Sequence, residues 1–355
     1  MLTVALIFGG RSAEHEISLV SARFVAANLD PRRYRVVPVG ILPDGTWVIP
    51  ADLDTALHEG LGAVATEPIA LALGASERGF LKENGEVVAV DFAFPVLHGT
   101  FGEDGTIQGL LEMASLPYAG AGVVASAVGM DKEMMKAAFA SASLPQVDYM
   151  VVRDSAADVS TAIVDIERRF SYPVFIKPAN LGSSVGMTKA HDRPELVAAL
   201  ALAFQYDRKV VVEAFCAGRE LECAVLGNET PQASLPGEVV PRNEFYDFEA
   251  KYTDGMMEFR VPAPLDAATT ERVRSLAVQA FRAIDCSGYA RCDFFLDSGG
   301  GVLVNEINTI PGMTSMSAFP RLWEATGVNG TELVDRIVSL GLARATARAA
   351  LSTSR

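Results

Sequence analysis

Cysteine is scarce in this 355-residue chain, and the four present, Cys216, Cys223, Cys286 and Cys292, form neither a Cys-x-x-Cys pair nor a regular spacing. That argues against a disulfide framework, and the four read as buried thiols of a reducing compartment. Basic charge is also short. Thirty Lys and Arg against 44 Asp and Glu leave a net charge of −14, which repels nucleic acid and anionic membrane surfaces as general partners. Any anionic ligand must therefore meet a local basic site. No apolar run approaches the ~18 residues of a membrane span, and the opening MLTVALIFGG has no basic n-region and ends its apolar run at Gly9. The expectation is a soluble cytoplasmic protein. Repeats and low-complexity blocks are missing as well, and the Ala, Arg and Ser-rich tail GLARATARAALSTSR is expected to fray.

The length is enough for two or three domains with clefts between them. LTVALIF, SAEHEISLVSARFVAANL and YRVVPVGIL run strand, helix, strand, the pattern of a parallel α/β sheet. VVAVDFAFPVLHG and LPYAGAGV are further strand candidates, whereas TALHEGLGAVATEPIALALGA is weakly patterned and reads as an insertion. Small residues around Gly120 to Gly122 mark a boundary. From DKEMMKAAFASA to KVVVEAF the pattern is a small α+β unit. The last part holds the strand ELECAVLG, an irregular polar stretch from Gly237 to Pro264, a long helix from Asp266 to Ile284, and the strands GYARCDFFLD and GVLVNEIN. The domains are accordingly drawn at 1–120, 121–218 and 219–355.

The last two strands carry the strongest local signal. If Asp297 pairs with Val302 around the Ser-Gly-Gly-Gly loop, Asp293 faces Glu306 and Arg291 faces Asn308, all on one face of the hairpin. Two carboxylates and an amide oxygen suit Mg²⁺, which takes few protein carboxylates and completes its shell with phosphate and water. A solvent-facing ion-pair ladder, with Asn308 starting the next turn, is the competing reading. In FIKPANLGSSVGM, a strand ending at Lys177 feeds a Gly/Ser loop whose amides can wrap phosphate. The strand that follows distinguishes it from a Walker loop, which opens a helix, and a plain surface hairpin is its rival. Lys132 stands at a helix start, where a lone lysine is usually a solvated cation. NEFYDFEAKYTDG brings aromatics without a sustained period and reads either as a lid or as a loop strapped down by its own rings. Glu14 and His98 sit at the carboxyl ends of two candidate parallel strands, where ligands gather.

Together these segments resemble the D-alanine–D-alanine ligases of the ATP-grasp superfamily, and the resemblance runs from FGGRSAEHEIS through VLHGTFGEDGTIQGLLE, MDK, IKPANLGSSVGM, FYDFEAKY and ARCDFF to NEINTIPGMTS. It implies a three-domain α/β architecture: an N-terminal parallel-sheet domain that binds the amino acids and two α+β domains that grip ATP. It also implies activation of one D-alanine as an acyl phosphate and attack by the amine of a second. By resemblance Glu14 holds the first ammonium, while Glu16 is a solvated residue of a helix's first turn. Lys132 and Lys177 serve the ATP phosphates and Glu220 the ribose, the segment from Glu213 to Cys216 meets adenine, and Ser184 and, on the lid loop, Lys251 are further cofactor-binding residues. Asp293, Glu306 and Asn308 hold two Mg²⁺ ions, with Mn²⁺ as a substitute. Arg291 and Gly312 stabilise the oxyanion, Ser317 and Tyr246 contact substrate, Ser183 links the lid to the first substrate's end of the site, and Tyr252, on the lid loop, favours D-alanine as the second substrate. His98 is offered as a substrate-orienting group and as a candidate base. A homodimer and a monovalent-cation requirement follow from the family alone. Phe248 and Cys292 depart from its usual residues. The rivals are another ATP-grasp ligase with a different acceptor, and a nucleotide-binding regulatory module without turnover.

Overall fold

The computed structural model describes residues 1–74, 78–153, 159–182, 185–241 and 257–352. Its first sheet is built from β1 (Leu2–Gly9), β2 (Tyr34–Ile41), β3 (Trp47–Pro50), β4 (Thr66–Leu71), β5 (Gly79–Lys82), β6 (Val87–Ala89) and β7 (Phe92–Pro95), in the order β6-β5-β4-β3-β2-β1-β7. Only β2, β1 and β7 run parallel; β3 to β6 are added antiparallel. The weakly patterned segment is thus no loose insertion. It supplies α2 (Leu53–Glu59) and β4, which pairs with β3 through Pro50↔Thr66 and with β5 through Leu71↔Phe80. Its alternation was hard to read because Glu67 of β4 lies on the inner side with Ile69, while Pro68 and Ala70 are exposed. In β1 the continuous apolar run is explained by burial on both faces: Val4, Leu6 and Phe8 point one way and Ala5 and Ile7 the other. α1 (His15–Asn28) follows β1, and α3 (Thr106–Met113) covers the Ala5 and Ile7 face.

A second, antiparallel sheet has the order β10-β9-β11-β8, from β8 (Tyr149–Arg153), β9 (Val174–Pro178), β10 (Thr188–Ala190) and β11 (Lys209–Ala214). Its α6 (Val159–Arg169) and α7 (Arg193–Ala203) cover one face, packing on Val174, Ile176, Val210 and Val212. By the period of two, Lys177 and Glu213 turn to the opposite face, where both are nevertheless buried. The helices that precede this sheet, α4 (Val123–Met130) and α5 (Lys132–Ser141), bridge it to the next: Ala125, Met135 and Phe139 join the core of the third sheet, while Lys136 of α5 reaches Glu213 of β11.

That third sheet is antiparallel, in the order β15-β14-β12-β16-β17, from β12 (Gly218–Gly227), β14 (Gly237–Pro241), β15 (Met257–Arg260), β16 (Gly288–Asp297) and β17 (Val302–Asn308), with the short β13 (Gln232–Ala233) beside β12. The stretch expected to be irregular from Gly237 therefore contains two strands. The long helix α8 (Ala267–Ala283), capped by the Asp266 carboxylate accepting from Thr269 N–H, lies on one face. α9 (Ala318–Ala325) and α10 (Gly330–Ala349) lie on the other and share a core with the first sheet, in which Phe319, Trp323 and Ile337 meet Leu6, Phe8 and Phe92. Among the described residues no helix is long and apolar enough to cross a membrane.

The joint between first and last parts is clamped. Arg344 of α10 donates to the Gly120 carbonyl, to Tyr118 O at 3.1 Å and to Ser287 Oγ at 3.3 Å, and its guanidinium lies 4.1 Å from the Tyr118 ring centroid. One turn earlier, a Cβ on Gly341 would stand 2.5 Å from Tyr118 O and 2.8 Å from the Phe92 ring. Alanine there gains about 1 kcal/mol of helix propensity, but overpacking against a backbone carbonyl costs about 1–3 kcal/mol. Gly341→Ala is therefore expected to lower the melting temperature; a rise would show that the helix can shift away without penalty.

Candidate active site

The hairpin of β16 and β17 places the acidic cluster, though by a different route from an uninterrupted ladder. Leu296, not Asp297, pairs with Val302, and Phe294 pairs with Val304. The register then slips by one residue at Asn305, after which Asp293 faces Glu306 and Arg291 faces Asn308. This β-bulge changes which residues point inward: Val302 and Val304 enter the core before it and Ile307 after it. Without the bulge, continued alternation from Val304 would aim Glu306 into that core. With it, Glu306 and Asn308 share the opposite face with Arg291 and Asp293.

On that face Arg291 donates to both oxygens of Asp293, at 2.7 Å each, and its Nε lies 3.4 Å from Glu222. Burial opposes the guanidinium charge, yet Asp293, Glu222 and Glu306 outweigh it and raise the Arg291 pKa well above its ordinary value. Asn308 turns its amide oxygen to Ile310 N–H at 3.0 Å and so also organises the following loop. Glu222 was missed in the sequence. The Glu-x-Glu alternation of RELEC was the available signal, since Glu220 and Glu222 share one face of β12, with Glu222 opposite Asp293.

The loop after β17 brings Gly312 against Ser317: a Cβ on Gly312 would stand 2.9 Å from Ser317 Oγ. Ser317 Oγ accepts from Thr314 N–H at 3.1 Å and lies 2.7 Å from Thr314 Oγ1. This loop is tied to the first sheet through His98, whose Nδ1 lies 3.1 Å from Ile310 O and whose Nε2 lies 2.9 Å from Ser21 Oγ. A carbonyl only accepts, so Nδ1 carries the proton and Nε2 accepts from Ser21. Ser21 Oγ in turn accepts from Met313 N–H at 3.3 Å. Both ring nitrogens are engaged, which favours the orienting role of His98 over the basic one. Ser21 carried no signal beyond its place on the buried side of α1.

Burial lowers the His98 pKa from its ordinary 6.5, against a smaller opposing pull from Glu14. The depressed folded-state value means that this neutral imidazole contributes stability above pH 6.5, and the contribution is lost as pH falls through the folded pKa. Thermal melts of wild type between pH 7.5 and 5 are expected to decline more steeply than those of His98→Gln; parallel declines would show that His98 is not buried neutral.

Glu14 caps the start of α1 beside Gly99, where an added Cβ would stand 2.6 Å from its Oε2. Its N–H donates to Ser12 Oγ, and Ser12 donates to His98 O at 2.7 Å, so the two strand ends are joined. Glu16 is exposed in the first turn, as expected. Near Glu14 lies a second carboxylate, Glu103, which accepts from Gly99 N–H. Burial and then the Glu14 charge push its pKa well above the ordinary value, while Arg291 pulls it down. A Cβ on Gly182 would lie 3.8 Å from Oε2 of both acids, so the loop after β9 closes over them. Glu103 stood in the glycine-lined GEDG turn after His98, a signal read as belonging to the turn alone.

Lys132, the first residue of α5, donates to Leu181 O at 2.6 Å and thereby holds the start of the Gly/Ser loop. Lys177 lies 2.7 Å from Glu213. Burial disfavours its charge, but Glu213, Glu306 and Glu220 raise its pKa above the ordinary value, which places the lysine within electrostatic reach of the acidic hairpin. Glu220 is half-buried opposite Phe295, and Cys216 is half-buried with its thiol pKa raised by burial. Ser183, Ser184, Tyr246, Phe248, Lys251 and Tyr252 lie outside the described residues. Cys292 points into the core against α8, its Sγ 3.5 Å from Ala277 O.

Two family models match the chain: "D-ala D-ala ligase N-terminus" over residues 3–121 and "D-ala D-ala ligase C-terminus" over residues 138–339. The chain belongs to the D-ala D-ala ligase family. Members similar to it include the D-alanine–D-alanine ligase of Acetivibrio thermocellus, 46% identical over 360 residues that cover 96% of each chain. That of Solibacter usitatus is 48% identical over 344 residues, covering 97% of this chain and 96% of its own. Among solved structures of the family, VanG D-Ala:D-Ser ligase from Enterococcus faecalis superposes with a TM-score of 0.89 at 34% identity, covering 96% of this chain and 99% of its own. The D-alanine-D-alanine ligase from Coxiella burnetii gives 0.87 at 34%, covering 98% and 96%. The mixed first sheet and the two antiparallel sheets are thus the ligase fold.

Proposed function

We propose that this chain joins two D-alanines at the expense of ATP, releasing ADP and phosphate, to supply a peptidoglycan precursor. The observation that carries the reading is the convergence of two sets of groups. Glu14, His98, Gly312 and Ser317 form one set, linked by Ser12, Ser21 and Ile310, and can hold two amino acids. Lys132, Lys177, Arg291, Asp293, Glu306 and Asn308 form the other and can hold a phosphorylated nucleotide.

In this reading Glu14 takes the ammonium of the first D-alanine, whose carboxylate accepts the γ-phosphoryl group of ATP. A free carboxylate resists amines, so activation as an acyl phosphate is required before the second amine attacks and phosphate leaves. Phosphoryl transfer asks for charge neutralisation and alignment rather than covalent help. Lys132 and Lys177 supply that charge. Arg291 and the Gly312 amide meet the oxyanion, and Ser317 orients the second carboxylate. By resemblance the lid role falls to the segment 243–255, with Tyr246, Lys251 and Tyr252, and to the loop serines Ser183 and Ser184, all outside the described residues; in this reading a closed lid would exclude water from the acyl phosphate.

Among the described residues no three His, Cys, Asp or Glu side chains are grouped as a metal site; the set expected here has two carboxylates and one amide. Asp293, Glu306 and Asn308 share one face through their cross-strand register, a donor set that fits Mg²⁺. Asp293 would serve it by giving up one of its two bonds from Arg291. Bound there, the ion would offset negative charge on the phosphate oxygens.

The similarity to a D-Ala:D-Ser ligase makes D-serine the second reading for the acceptor. The test is phosphate release and product mass with Mg·ATP and D-alanine, L-alanine, D-alanine plus D-serine, or D-alanine plus D-lactate. D-alanyl-D-alanine as the dominant product of the D-isomer supports the proposal. Dominant D-alanyl-D-serine moves the acceptor assignment, and no product with any mixture ends the proposal.

A further inference from the structure

We infer that Lys136 is a positioning residue of the nucleotide site, acting on the Lys177 ammonium through the carboxylate that both lysines share, Glu213. The inference rests on the reading of Lys177 as a phosphate ligand. Lys136 lies on α5 one turn beyond Lys132 and is fully buried. Its Nζ stands 2.9 Å from Glu213 Oε1, while Lys177 Nζ stands 2.7 Å from Oε2, and the side chains of Lys177 and Glu213 are only 9% and 3% exposed. Opposite charge holds the Lys136 ammonium at that distance, helped by the Tyr149 ring, whose centroid is 5.2 Å from Nζ.

Three ionised groups taken out of water are a poor way to gain stability, since an apolar cluster of the same shape is often as stable or more so. The arrangement makes sense for what it does to Lys177. One carboxylate facing one lysine would be a neutral pair, with the ammonium committed to its partner. Two lysines on one carboxylate leave a surplus positive charge. Lys136 is sealed behind Glu213, and it is Lys177 that feels Glu306 and Glu220 across the site. The surplus is therefore presented on the side where the phosphates are expected. Burial would raise the Glu213 pKa, but the two ammonium groups overcome it and hold the carboxyl at about 2, so the bridge stays charged. The contact also joins two units, because α5 packs with the third sheet, which carries Asp293 and Glu306, whereas Lys177 and Glu213 belong to the second.

The test measures binding of a non-hydrolysable Mg·ATP analogue and of adenosine to the full chain by calorimetry. Lys136→Met is expected to weaken the analogue by about tenfold to a hundredfold, the scale of a charge-assisted hydrogen bond, and adenosine by less than about twofold. Adding Glu213→Gln removes the charge that Lys136 offsets, so the double variant should recover most of the analogue affinity. Equal losses for analogue and adenosine, or a double variant weaker than Lys136→Met, would overturn the inference in favour of simple structural glue. If Lys136→Met does not fold, the comparison is Glu213→Gln against the double variant. Affinities within about threefold support the inference and a larger gap ends it, because less than 1 kcal/mol then separates them. Dipeptide synthesis by wild type is scored separately: a selective loss of analogue binding without any dipeptide sinks the ligase reading alone, and dipeptide synthesis with Lys136 indifferent sinks this inference alone.

Discussion

Glu306→Gln is expected to lower kcat by about 10²- to 10³-fold, because several kcal/mol of transition-state charge stabilisation depend on the metal that this carboxylate would help to hold. The substitution is nearly isosteric and keeps one oxygen, so the hairpin register and the melting temperature should change little. What it removes is a negative charge facing Asp293 across the strands. The Mg²⁺ concentration for half-maximal rate should rise along with the fall in kcat. Steady-state rates across a Mg²⁺ titration, with a melt as the control, decide the matter. Wild-type kcat at the same Mg²⁺ concentration would remove Glu306 from the metal site.

Arg291→Lys is the second large effect, with kcat falling by about 10²-fold or more, the scale for loss of one oxyanion donor. Charge is retained, but a lysine cannot span both Asp293 oxygens while reaching Glu222, as the guanidinium does at 2.7, 2.7 and 3.4 Å. If the arginine acts on the tetrahedral intermediate, kcat and kcat/KM should fall together. A higher KM for D-alanine with kcat unchanged would assign Arg291 to substrate binding instead.

The acidic hairpin was legible in the sequence down to its cross-strand partners, and yet the ladder that suggested them was one residue off at the loop end. The two offsets cancel because Asn305 is extra, and a bulge leaves no mark in an alternation count. β4 and β5 were hidden for another reason: they are short strands of the outer half of a mixed sheet, and in β4 polarity does not follow the faces, since Glu67 turns inward with Ile69 while Pro68 and Ala70 are exposed. Motifs carried Glu14, Lys177 and Asp293 for different reasons: Glu14 follows the glycine turn that ends β1, Lys177 stands near the end of β9, and Asp293 lies inside β16, where the alternation of the hairpin pairs it with Glu306. Glu103, though set between glycines in the GEDG turn, was not singled out, and Ser21 and Lys136 had no such markers. Each becomes informative only through a neighbour far away in the chain, His98 for Ser21 and Glu213 for Lys136, and pairings of that range follow from packing rather than from local spacing.

The sharing of one core by β1 and α10 bears on how the chain can be made. Leu6, Phe8 and Phe92 share a core with Phe319, Trp323 and Ile337 as well as with Leu19, Ala22 and Val25 of α1, so the first sheet leaves the ribosome with part of that apolar face bare, and this part stays so until the last helices emerge. Contacts of such long sequence separation form slowly and leave sticky intermediates exposed meanwhile. Chains truncated before Gly330 should therefore be recovered mainly as aggregates or bound to chaperones, even though every strand of the three sheets has already been synthesised.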